Sequence, residues 1–199
     1  MVDYLSFIYE KLLFTKEEFV QFTGNSASAG VTLRNYVKRG LIVNIRRNLY
    51  CACNLATKLP EAGKMQIASA LSETACVSYH SALEYHGLGH QVFYRIYVQS
   101  KTRFNTFDFD GIEYKYYKQV QECGIQNMAY DKMVRVTDLE RTLIDCCDRV
   151  DLAGGIEELL HCLENTPMVN EKKMLDYLRA FDKAVLYKKV GYVMEVTGI

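Results

Sequence analysis

Residues 26–53 read SASAGVTLRNYVKRGLIVNIRRNLYCAC. The spacing predicts a helix over 27–39, because at about 100° per residue Ala29, Leu33, Tyr36 and Val37 fall on one side. Ser28, Val31, Arg34, Asn35 and Lys38 then fall on the opposite side, with Thr32 at the edge. Gly40 ends the helix. Residues 41–45 alternate as a strand does, Arg46, Arg47 and Asn48 make a turn, and 49–53 return as a second strand. Asn tolerates positive φ better than other non-glycine residues, so Asn48 suits a tight turn.

Charge sets this stretch apart. From Phe19 to Pro60 there is no Asp or Glu, whereas Arg34, Lys38, Arg39, Arg46, Arg47 and Lys58 supply six positive charges. Residues 1–18 carry net −2 and residues 61–199 net −4, so the formal net charge of zero conceals a polarised molecule. A concentrated basic segment suits a polyanion partner, since neutralising phosphates releases condensed counterions.

Working outward toward the N-terminus, Leu5, Ile8, Tyr9 and Leu12 lie at helical spacing within 3–12. Thr15 and Glu18 have the spacing of a capping box, and Phe14 and Phe19 that of a hydrophobic staple, so a second helix runs from Thr15 to about Thr23. Gly24 and Asn25 stop it. Three helices followed by a hairpin with a cationic tip predict a winged helix-turn-helix DNA-binding domain over residues 1–57. On that reading Ser28, Thr32, Arg34 and Asn35 approach base edges. Lys38, Arg39, Arg46 and Arg47 neutralise phosphates.

The run TLRNYVKRGLIVNIRRNLYC resembles the N-terminal segment of the AbiEi family of antitoxins, in which a helix ends in an arginine-glycine step and paired arginines precede a tyrosine. The family commonly has glycine where Asn48 stands. The resemblance continues in VSYHSALEYHGL at 77–88, VRVTDLERTLIDCC at 134–147 and LYKKVGYVMEVTG at 186–198. It implies a cytoplasmic transcriptional repressor that binds inverted repeats in double-stranded DNA and regulates its own operon. It further implies that residues 61–199 form an antitoxin domain opposing a nucleotidyltransferase-like toxin of a type IV toxin-antitoxin system in phage defence, with direct toxin binding left open. Inverted repeats accept either a preformed dimer or monomers binding cooperatively.

Downstream, the pattern predicts an α+β domain with a small antiparallel sheet and a helical C-terminus. Helices are expected over 61–72 and 81–86, and a strand over 92–99. A hairpin over 104–117 turns at Asp110-Gly111, a dipeptide favoured in type I′ turns. In that register Phe107, Phe109, Ile112, Tyr114 and Tyr116 share one face, and Asp108, Glu113 and Lys115 the other. Thr137 and Glu140 have capping-box spacing ahead of a helix bearing Leu139, Leu143, Cys146, Cys147 and Val150. Further helices are expected over 154–164, 170–181 and 183–196. The boundary between the two domains falls within 54–61, where strand pattern, charge sign and Pro60 all change.

The remaining composition narrows the chemistry. At 199 residues and 49% hydrophobic content the chain can bury a substantial core. An odd count of seven cysteines, with no apolar leader, predicts reduced thiols in the cytoplasm. No apolar run reaches the roughly 18 residues of a membrane span.

Asp108, Asp110 and the Glu113-Tyr114-Lys115 triplet suggest a metal-nuclease pattern, but both carboxylates lie in one tight hairpin, where a separate strand normally supplies the first. Lys115, diagonal to Asp108, can relieve its repulsion with Glu113. His80, His86 and His90 are candidate ligands separated by a helix and a glycine-rich loop, which predicts packing or satisfied hydrogen bonds instead of a metal site. Cys51, Cys53, Cys146 and Cys147 read as packing residues. With no phosphate-binding loop and no nucleophile elbow, the sequence predicts a non-enzymatic protein without catalytic residues, metal or cofactor. The competing reading is a module whose basic face meets RNA or an acidic protein.

Overall fold

Thr15 and Glu18 close the reciprocal cap that their spacing predicts: the Glu18 amide donates to Thr15 Oγ1 at 3.1 Å and the Thr15 amide to the Glu18 carboxylate at 2.7 Å. In the computed structural model, which describes residues 4–131, 133–164, 166 and 168–198, this cap opens α2 (Lys16–Thr23). Ahead of it lie α1 (Tyr4–Lys11) and a three-residue strand, β1 (Leu13–Thr15), which hydrophobic spacing does not announce. Gly24, at φ 69°, ends α2 in the left-handed region. Asn25 acts differently from a second stop. Its side-chain oxygen accepts from the Ala27 and Ser28 amides, both at 3.0 Å, and so caps α3 (Ser26–Lys38).

After Gly40 the chain forms β2 (Ile42–Arg46) and β3 (Leu49–Ala52), joined through Asn48 at φ 73°, the conformation for which asparagine suits. The three strands make an antiparallel sheet in the order β1-β3-β2. Its two faces feed different cores, since successive side chains alternate across a strand. Phe14, Ile42 and Ala52 join Ile8, Phe19, Ala29 and Leu33 beneath the helices. Phe14 and Phe19 meet as the predicted staple, ring centroids 5.9 Å apart. Leu13, Ile45, Leu49 and Cys51 face the other way and pack with Ile67, Val98 and Tyr114 from beyond residue 60. Val37, expected on the inner side of α3, is exposed.

That second core also contains α4 (Lys64–Ser69) and one face of a six-stranded sheet. Its strands are β4 (Cys76–Val77), β5 (Arg95–Ser100), β6 (Phe107–Phe109), β7 (Ile112–Lys118), β8 (Ile125–Asn127) and β9 (Arg135–Thr137), in the order β6-β7-β5-β4-β9-β8. The β6–β7 hairpin has the expected register, with Phe107 opposite Tyr114 and Asp108 opposite Glu113, and positive φ at both Asp110 and Gly111. Phe107, Phe109, Ile112, Tyr114 and Tyr116 all join the second core. The sheet holds two parallel pairs as well, β5 with β7 and β4 with β9.

Helices cover the opposite face: α5 (His80–Tyr85), α6 (Leu139–Asp148), α7 (Ile156–Glu164), α8 (Glu171–Phe181) and α9 (Ala184–Thr197). The fold is α+β. Asp138, and not Thr137, caps α6: its carboxylate accepts from the Arg141 amide at 3.0 Å, while Thr137 is committed to β9. Glu140 instead accepts from the Asn170 amide at 2.9 Å. Residues 140–147 of α6 are buried on every side. Arg141 is its central strut, with Nε on Asp145 at 2.9 Å, Nη1 on the Cys123 carbonyl at 2.7 Å and Nη2 on Gln99 at 3.2 Å. Among the described residues no helix is long and apolar enough to cross a membrane.

Removing one member of a buried ion pair strands the other without solvent, so Arg141→Ala should cost about 3–5 kcal/mol in urea unfolding. Thr15→Ala, which removes a surface cap, should cost about 1 kcal/mol. Equal losses from the two would refute the strut.

Candidate nucleic-acid interface

The outer face of α3 is polar because its inner stripe is fixed by Ala29 and Leu33, both buried in the helical core. Ser28, Arg34, Asn35, Lys38 and Arg39 are all exposed, and Thr32 is half-buried at the edge of the same face. The Ser28 hydroxyl donates to the Asn25 carbonyl at 3.1 Å, so its proton is engaged and its lone pairs remain open. Val31, 49% exposed, adds an apolar contact in the middle of this face. A side chain of that kind fits the thymine methyl group.

The cations of this region are uncompensated. Among the described residues Arg34, Lys38, Arg39, Arg46, Arg47 and Lys58 make no ion pair, whereas farther along Lys64, Arg95, Arg141, Arg149, Lys173 and Lys183 each meet a carboxylate. The cause lies in the sequence, which places no acid between Phe19 and Pro60. Unpaired surface cations can meet phosphates without first breaking a bridge, and their fields add.

The hairpin turn divides its two arginines. Arg46 lies with its guanidinium carbon 5.4 Å from the Phe104 ring centroid and 5.7 Å from that of Phe107, half-buried against the second sheet. Burial pulls its pKa down from the usual guanidinium value. Arg47 is exposed and free to reach outward. The turn itself is braced: Asn44 Nδ2 donates to the Arg46 carbonyl at 2.9 Å, and the Lys16 amide to Asn48 Oδ1 at 3.1 Å. An open cleft of about 550 Å³ lies between the start of α2 and this turn, lined by Lys16, Asn44, Arg46, Arg47, Asn48 and Tyr50 together with one acid, Glu17. A second, of about 380 Å³, continues past Arg46 and Arg47 to Arg103, Asn105 and Thr106. Arg103 is exposed and, among the described residues, unpaired. Sequence reading missed it, although its position beside Phe104 in the run RFNTF was the available signal.

Other candidate residues separate clearly. Asp108 does face Glu113, but Glu113 is bound by Arg95 from β5, so Lys115 is not the neutralising cation. The Lys115 ammonium lies over the Tyr117 ring instead, 6.0 Å from its centroid. His86 has a satisfied bond, with Nε2 2.8 Å from the Thr137 carbonyl. His80 is likewise buried and hydrogen-bonded as expected, its Nε2 2.9 Å from Glu158 Oε1 on α7. What the spacing does not show is that the intervening helix and loop fold back, so that His90 reaches Glu158 as well. Burial alone would raise the Glu158 carboxyl. Hydrogen bonds from the Gln91 amide, His80 and the His90 amide outweigh it and hold the group at about 2. Cys146 and Cys147 pack inside α6, and burial pushes the Cys147 thiol up to about 12.

No family model and no curated protein matches the chain. Among solved structures, the RV2827C protein from Mycobacterium tuberculosis is similar, with a TM-score of 0.62 at 13% identity, covering 98% of this chain and 75% of that one. At that identity the likeness concerns the fold.

The division of the arginines predicts unequal substitutions. Arg46→Ala should lower stability by about 1 kcal/mol, because packing and a cation–π contact go with the charge. Arg47→Ala should stay within about 0.5 kcal/mol. Urea unfolding of both variants tests this, and matched midpoints would contradict it.

Proposed function

We propose that the protein is a sequence-specific DNA-binding repressor in which residues 1–57 act as a winged helix-turn-helix. The observation that carries this reading is the set of uncompensated cations on the outer face of α3 and the hairpin turn, beside exposed groups able to hydrogen-bond base edges. The order α1-β1-α2-α3-β2-β3, with a capped second helix and a braced hairpin, is consistent with that motif. In this role α3 enters the major groove. Arg34, Asn35, Thr32 and Ser28 read bases there, with Val31 as an apolar contact. Lys38, Arg39 and Arg47 take phosphates, joined by Arg103 from the adjoining loop. Arg46 contributes charge from a fixed position and orients the turn.

The biological setting follows from the AbiEi resemblance: a cytoplasmic antitoxin that represses its own operon at inverted repeats and opposes a nucleotidyltransferase-like toxin. Residues 61–199 would form the antitoxin domain. The resemblance there rests on the segments 77–88, 134–147 and 186–198. Of these, 134–147 contains the Asp138 cap and the Arg141 strut, which make it structural in this chain.

Duplex binding measured against salt tests the proposal. Each phosphate contact removed should reduce the magnitude of the slope of log K against log salt by about 0.9. Lys38→Ala and Arg47→Ala should each do so on every sequence, and Asn35→Ala should change which sequence is preferred. Unchanged binding by the Lys38→Ala/Arg47→Ala double variant would sink the assignment.

A further inference from the structure

We propose that His80, His90, Glu158 and Cys162 form a structural site for a divalent transition-metal ion of the zinc class. They come as two local pairs, His80 and His90 from the start of α5 and the loop that follows it, and Glu158 and Cys162 four positions apart on one face of α7. One donor atom each from His80, Glu158 and Cys162 lies within 4.8 Å of the others. His80 Nε2 is 2.9 Å from Glu158 Oε1, and Cys162 Sγ is 3.5 Å from the same oxygen. His90 Nδ1 stands 3.5 Å from Glu158 Oε2. The ring of His161 stacks on His90 with centroids 5.0 Å apart, so three of the four histidines in the chain gather here.

The bonding of Glu158 points to a cation. Its Oε1 is crowded, accepting from the His90 and Gln91 amides at 2.9 and 2.8 Å while also meeting His80 and Cys162. Its Oε2 is fully buried and has no hydrogen-bond partner. A carboxylate serving only as a brace would share its donors between both oxygens, because an unserved buried acceptor is costly. The unserved oxygen instead faces an imidazole nitrogen. A metal ion held by the imidazoles, the thiolate and this oxygen would satisfy it.

The donor set selects the ion. Imidazole, thiolate and carboxylate together suit zinc and its neighbours, whereas calcium and magnesium prefer oxygen alone. The surroundings are those of a built site. Phe93 meets His80 edge-on with centroids 4.3 Å apart, and a Cβ at Gly154 would come within 2.9 Å of Glu158 Cγ and 3.1 Å of Phe93. His80, Glu158 and Cys162 are buried, but the His90 side chain is 63% exposed, which leaves a route for the ion to enter. Bound there, the ion would tie α5 and the 89–91 loop to α7.

The test uses the full chain after chelation and dialysis, titrated with Co²⁺ and then with Zn²⁺. One equivalent of cobalt should produce a sulfur-to-cobalt charge-transfer band and visible bands of tetrahedral strength, both removed by zinc. Cys162→Ala should abolish the charge-transfer band. His90→Ala, made at the exposed ligand where folding is least affected, should weaken affinity at least tenfold, with circular dichroism confirming that both variants are folded. Zinc should raise the thermal midpoint of the wild type and not of Cys162→Ala. Absence of a stoichiometric cobalt spectrum in the folded wild type, or a spectrum undiminished in both variants, would overturn the proposal and leave a hydrogen-bonded His80–Glu158 pair.

Discussion

The three-stranded sheet is buried on both faces, and the placement of every candidate DNA-contacting residue depends on that constraint. One side of β1, β2 and β3 completes the core beneath α1, α2 and α3, while the other packs on α4 and the six-stranded sheet. The helices are thereby held at a fixed position relative to the hairpin. The hairpin is in turn held by Ile45, Leu49 and Cys51 and by Arg46 lying on Phe104 and Phe107. A surface that must match a groove benefits from such rigidity, because less ordering is left for the moment of binding.

Electrostatics follows the same division. Among the described residues the cations from Arg34 to Lys58 meet no carboxylate, in a segment from Phe19 to Pro60 that has no acids, whereas much of the remainder is knitted by ion pairs. Arg141 and Arg34 illustrate the contrast. The first is a buried strut with all three guanidinium nitrogens hydrogen-bonded, and the second is an exposed side chain that, among the described residues, meets no carboxylate. Arginine content alone therefore says little about nucleic-acid binding, and the local absence of acids says more.

Much of this was legible in the sequence wherever the governing interaction is local. The Thr15–Glu18 cap, the Phe14–Phe19 staple, the positive φ of Asn48 and the Asp110-Gly111 turn each depend on residues within five positions. Strands of two or three residues such as β1, β4, β8 and β9 were not legible, because their pairing comes from distant chain and leaves no periodicity. Thr137 was misread as a cap because a strand claims it, and Asp138 is the residue free to turn inward. The partner of Arg46 lies 58 positions on, at Phe104, and Glu158 meets His80 across 78 positions. The unbroken apolar run LYCAC did carry a hint, since a strand apolar on both faces expects cover on both.

The central claim is that the outer face of α3 and the turn after Arg46 form one rigid DNA-contacting surface. Amide chemical-shift mapping during titration with duplex DNA measures this most directly. The account predicts shifts concentrated in residues 26–39, 46–48 and 103–106, with the α8 and α9 amides unmoved. Saturable binding whose shifts fall mainly on α8 and α9, or no shifts along α3, would contradict it.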